Sequence, residues 1–113
     1  MNNKPENLYE YIDFMRRRIG MFLGEESVSA LNHHLTGYQM ACAMKGIEEQ
    51  LSPPFEEFHD FVAREYGLPF SNHGWAIMML KQCNENEPRA YQEFMRLFDL
   101  FRHGKNNANN EHE

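Results

Sequence analysis

The chain has 113 residues, a single-domain size, and is 42% hydrophobic and 13% aromatic, enough to build a core. A net charge of -6 disfavours nucleic acid as a partner and suits a basic protein. No apolar run nears the roughly 18 to 20 residues of a membrane span, and Met1–Glu6 lacks a signal peptide's apolar stretch. Two cysteines make no disulfide framework, so the expectation is a small cytoplasmic domain with no membrane partner.

Five segments carry helical signals and none alternates like a strand. From Glu6 to Arg18, Leu8, Ile12, Met15 and Ile19 recur at helical spacing behind Pro5. Gly20 and Gly24 bracket Met21-Phe22-Leu23, which reads as an apolar connector between helices. Ser27 is placed to cap a second helix through Val28, Leu31, Leu35, Tyr38 and Cys42, with Gly46 as its stop. Gly37 interrupts that helix, which predicts a close packing contact there. Ser52 is expected to cap a third helix with Pro53 and Pro54 in its first turn, ending at Gly67. Ser71 or Asn72 opens a fourth, whose Ala76–Leu80 run is apolar all round and predicts a central position with Trp75 buried.

After the polar break Asn84–Pro88, a fifth helix has Ala90, Phe94, Leu97, Phe98 and Phe101 on one stripe and a stop at His103-Gly104. The expectation is an all-α bundle of about five helices over residues 1–105, followed by a mobile Asn-rich tail over 106–113.

Chemistry is sparse. Glu56 and His59 form half of a di-iron-type Glu-x-x-His pattern, but no second copy follows within the helices. Of His33 and His34, one is expected on the core side as a hydrogen-bonded histidine. Cys42 and Cys83 read as free thiols, the methionines as core filler, and Arg16-Arg17-Arg18 as a complement to a helix C-terminus. No nucleophile elbow, phosphate-binding loop or metal-ligand spacing is present, so no enzyme activity and no cofactor are expected.

One local feature stands out. Glu48, Glu49, Glu56, Glu57 and Asp60 lie in a stretch free of Lys and Arg. That pattern suits a helix N-terminus and also a patch that steers a basic partner, with Phe55 as an apolar anchor.

Arg16–Gly24 is similar to the Arg-Pro-Gly-Met-Tyr-Ile-Gly segment of DNA gyrase B-type ATPases, but Ile19 replaces the proline and no Asp-x-Gly-x-Gly motif follows. A longer run resembles a family of small acidic bacterial proteins. It comprises Tyr11-Ile12, Arg18-x-Gly20-Met21-Phe22-Leu23-Gly24, Leu31, Leu35-x-Gly37-Tyr38, Phe58, Phe61-Val62, Trp75, Ala90, Phe94 and Leu97. Some members of that family resemble immunity proteins encoded beside secreted toxins. The resemblance covers most of the chain and implies an antitoxin that occludes a basic toxin. A structural helical homodimer and a small ligand- or metal-binding domain near His59 or His33 are the alternatives.

Overall fold

A computed structural model describes residues 4–68 and 73–111 and contains helices but no strand among them. Its elements are α1 (Leu8–Arg16), α2 (Ile19–Phe22), α3 (Val28–Met44), a 3-10 turn (Phe55–Glu57), α4 (Phe58–Glu65), α5 (Trp75–Gln82) and α6 (Glu87–Glu111). The architecture is an all-α bundle in which α6 packs against α3, α4 and α5. Among the described residues, no helix is long and apolar enough to cross a membrane.

Capping chemistry sets most boundaries. Asn7 accepts the Glu10 N–H and Ser27 accepts the Ala30 N–H, so the side-chain oxygens satisfy otherwise orphaned donors of α1 and α3. Asn86 does the same for α6 through the Arg89 N–H. Helices α3 and α4 end on Gly46 and Gly67 in the left-handed region, with Ile47 N–H bonded to Cys42 O and Leu68 N–H to Ala63 O. Asn84 takes the same role after α5.

Four local expectations are corrected. Met21 and Phe22 are not in a plain connector. They close a one-turn helix, because Leu23 N–H reaches Ile19 O and Phe22 packs on Tyr11, Phe14 and His34. Ser52 does not cap the third helix: a 3-10 turn entered from an extended Pro54 comes first, and Glu57 stands at the N-cap of α4 without a side-chain cap bond. The Ser52–Pro53 peptide is cis. Among the described residues Gly37 makes no close packing contact, since an added Cβ would meet nothing within 4 Å. Helix α6 also runs through Gly104 to Glu111, past the expected stop. Ser71 and Asn72 lie outside the described residues, and the mobile tail expected over 106–113 bears on side chains that also lie outside them.

The core is aromatic. Phe58 sits at its centre with Phe94 and Phe98, all fully buried, and the Ala90–Phe101 stripe of α6 faces it as its period requires. Trp75 is half-buried and lies 4.8 Å from Phe94, centroid to centroid. Helix α5 is central on three sides, but Ile77 is 43% exposed on the fourth. Met15, Met78, Met79 and Met95 fill the core, whereas Met21, Met40 and Met44 face solvent.

Polar side chains tie the helix ends together. Glu87, in the first turn of α6, accepts the Ser27 hydroxyl, the Ser29 N–H and the Ser29 hydroxyl at 3.0, 2.9 and 2.7 Å. One carboxylate thus serves the positive ends of both α3 and α6. Burial alone would raise its pKa, but these donors more than reverse that and hold it below the ordinary carboxylate range. Tyr66 joins α4 to α6 by donating to Glu93 at 2.9 Å.

Candidate functional site

Three carboxylate residues of the acidic stretch, Glu48, Glu49 and Glu56, line an open groove of about 610 Å³. One wall is the last part of α3, through Gln39, Cys42 and Ala43; the opposite wall is the irregular segment from Gly46 to Leu51. That segment is irregular for a clear reason. Gly46 reverses the chain out of α3, and the prolines that follow withhold backbone donors until the 3-10 turn. Leu8, Tyr38, Leu51 and Phe55 line the deeper surface, and Glu48, Glu49 and Glu56 complete the lining. None of the described lining residues is Lys or Arg.

The six residues singled out from the sequence separate into distinct roles. Glu48 and Glu56 are exposed on the groove. Glu49 is half-buried and turned inward: Oε1 accepts the Leu8 N–H at 2.9 Å and Oε2 accepts the Tyr38 hydroxyl at 2.6 Å. Its carboxylate therefore caps the first turn of α1 from a distant loop and fixes that loop against α3. Phe55 is only 7% exposed, stacks on Phe58 and meets Tyr9 and Trp75 edge-on. Its ring shapes the groove from within the core and does not project as an anchor. Glu57 lines a different cleft, of about 580 Å³, shared with Phe61, Arg64 and Leu100. Asp60 is exposed and lines neither cavity.

Tyr38 also belongs to an aromatic group at the α1–α3 contact. It stacks on Tyr11, and the Tyr11 hydroxyl lies 2.6 Å from His34 Nε2. His34 is thus the hydrogen-bonded histidine on the core side, while His33 faces solvent. Burial pushes the Tyr38 hydroxyl above the usual phenol range, and the Glu49 carboxylate adds to that shift by accepting its proton in a hydrogen bond. Tyr9 donates to the Pro53 carbonyl and so anchors the far end of the same loop.

Among the described residues, no three His, Cys, Asp or Glu side chains converge as a metal-binding group. Cys42 and Cys83 are both free thiols. Arg16 is held in ion pairs with Asp13 and Asp99, and Arg18 lies 4.5 Å over the Phe14 ring. The sequence alone showed the carboxylates and not the groove. Glu49 and its two partners are 41 and 11 residues apart along the chain.

Removing the Glu49 carboxylate tests its structural role. Glu49→Ala leaves the Leu8 N–H and Tyr38 hydroxyl without their acceptor and should cost about 1–2 kcal/mol. Chemical denaturation measures this, and an unchanged midpoint would show that water replaces both contacts without cost. Comparison of the chain with protein-family models, with curated proteins and with solved structures returns no match.

Proposed function

We propose that this chain is a binding protein that occludes a basic protein partner, in the manner of a bacterial immunity protein neutralising a toxin. The observation carrying this reading is the open groove, whose described lining holds three carboxylate residues and no basic one. Exposed Glu48 and Glu56 attract Lys or Arg side chains as the partner approaches. The apolar surface between them receives the aliphatic stems of those side chains. Occlusion is steric and electrostatic, with the carboxylates standing where an anionic substrate of the toxin would lie.

The test is co-expression with the product of the adjacent gene, followed by association kinetics for that pair. The intact chain should neutralise the partner's toxicity, and its association should slow as salt rises, because screening at 0.1 M acts over about 10 Å. Glu48→Lys with Glu56→Lys should slow association by about 10-fold or more at low salt. Glu57→Lys with Asp60→Lys should do less. Reversal at Glu111 and Glu113 controls for net charge alone. Equal slowing by all three pairs would remove the groove as the site, and failure to neutralise would remove the immunity reading altogether.

A further inference from the structure

We infer that the segment from Ile47 to Pro54 is a strap that releases as one unit, and that the groove exists only while the strap is fastened.

The backbone of this segment has little hold on the rest of the molecule. The Ile47 N–H bonds Cys42 O, and the next such bond in the chain is from the Glu57 N–H to Pro54 O. Among the described residues, no backbone N–H from Glu48 to Pro54 reaches a backbone carbonyl. Burial alternates along the segment. Glu49, Leu51 and Pro53 are half-buried, whereas Glu48, Gln50, Ser52 and Pro54 are exposed. A period of two belongs to extended chain, here laid on the body with one row of side chains inward and one outward.

The inward row carries the fastenings. Glu49 accepts the Leu8 N–H and the Tyr38 hydroxyl, Leu51 packs against the core, and Pro53 O accepts the Tyr9 hydroxyl. Gly46, with a φ of 68°, bounds the segment on one side and the buried Phe55 on the other. Each ordered residue costs conformational entropy, and few contacts offset it here, so the strap belongs to the low-stability end of the fold. Its fastenings share one stretch of chain with no backbone bond to the body between them. Loss of one therefore loosens the others.

The consequence for the groove is direct. Ile47, Glu48, Glu49, Gln50 and Leu51 form one of its walls. When the strap lifts, that wall goes, and with it two of the three lining carboxylates. A partner that needs the wall binds only the fastened state, so binding and release oppose one another. This coupling rests on the proposed function; the strap itself does not.

The Leu8 N–H is a built-in reporter. Leu8 opens α1, so no carbonyl within that helix accepts its N–H, and Glu49 Oε1 does. Amide exchange followed by NMR on the full chain should show Leu8 protected about 10-fold or more over an unstructured amide. Tyr9→Phe removes only the hydroxyl that holds Pro53, at the other end of the strap, and should speed Leu8 exchange about 3- to 10-fold. Tyr38→Phe takes one contact from Glu49 but leaves the Leu8 acceptor in place, and should act in the same direction. The Glu10 and Tyr11 N–H groups bond Asn7 and report fraying of α1 itself, so their exchange should stay unchanged.

Leu8 exchange that Tyr9→Phe leaves as slow as before would show that the fastenings act separately, and overturns the inference. Equal acceleration at Leu8, Glu10 and Tyr11 also overturns it, because the opening then lies in α1. Where the adjacent gene product binds, that partner at about ten times its Kd should slow Leu8 exchange about 10-fold. An unchanged Leu8 rate in that complex removes the coupling to the groove. If no partner is neutralised, the immunity reading falls and the exchange of the free variants still decides the strap.

Discussion

Replacing Phe58 with alanine should cost about 3–5 kcal/mol and leave the protein largely unfolded if its total stability is at the low end of the usual 5–15 kcal/mol. Phe58 is fully buried, and six aromatic rings surround it. Phe55 and Phe61 stack on it at 5.4 and 6.3 Å, while Trp75, Phe94, Phe98 and Phe101 meet it at 5.8, 5.4, 6.3 and 5.2 Å with steep interplanar angles. These rings come from the 3-10 turn, α4, α5 and α6, so truncation removes the contact through which several elements meet. The surrounding rings are rigid and cannot collapse far into the space, which places the cost in the upper part of the range for core truncations. Phe58→Leu retains part of the volume and should cost about 1–2 kcal/mol. Urea denaturation followed by the fluorescence of Trp75, which abuts both Phe58 and Phe94, measures each variant. A loss under about 1 kcal/mol for the alanine variant would mean that the cluster repacks, contrary to this account.

The importance of that cluster was legible in the sequence to the extent that it depends on local period. The α6 stripe, the Ser27 cap and the glycine stops at Gly46 and Gly67 are decided within a few residues, and local pattern locates them. Glu49 and Phe55 show where such reading ends. Both sit in a stretch that reads as acidic surface with an exposed aromatic, but burial is decided by what the rest of the chain brings up to it. Leu8 and Tyr38 draw the Glu49 carboxylate inward, and Tyr9 and Trp75 close over the Phe55 ring. The expectation for Ser52 failed because the cap is settled by where the proline pair ends, which residue type alone does not fix. The charge-free run around Gly37 misleads in the same way. Glycine there predicts a close packing contact, but among the described residues no atom lies within 4 Å of an added Cβ.

Arg102→Ala should destabilise the protein by about 1–3 kcal/mol, and most of that loss should disappear in acid. The Arg102 guanidinium donates two bonds to Asp13 at 2.9 and 2.8 Å and lies 4.6 Å over the Phe98 ring. Arg16 donates two to Asp99 at 2.9 and 3.0 Å and one to Asp13 at 3.2 Å. Two cations and two anions thus alternate across the contact between α1 and α6. Their value lies between the surface and buried limits: the Arg102 side chain is only 15% exposed, but Asp13 is 34% exposed and screened by water. Burial alone would raise the Asp13 carboxyl, yet the hydrogen bonds and charges of Arg102 and Arg16 hold it below its usual value. A carboxylate whose pKa is lowered by folding stabilises the native state above its unfolded pKa, and that contribution is lost as pH falls through the folded value. The wild type should therefore lose stability on acidification through this region, while Arg102→Ala, with much of the pairing already gone, should lose less. Arg102→Met keeps the stem over Phe98 and removes only the charge, so it separates packing from pairing. If Arg102→Ala costs as much in acid, once Asp13 has been protonated, as it does at neutral pH, the contact with Phe98 carries the energy and the ion pairs do not. If Arg102→Met matches the wild type at neutral pH, the same conclusion follows from the other side.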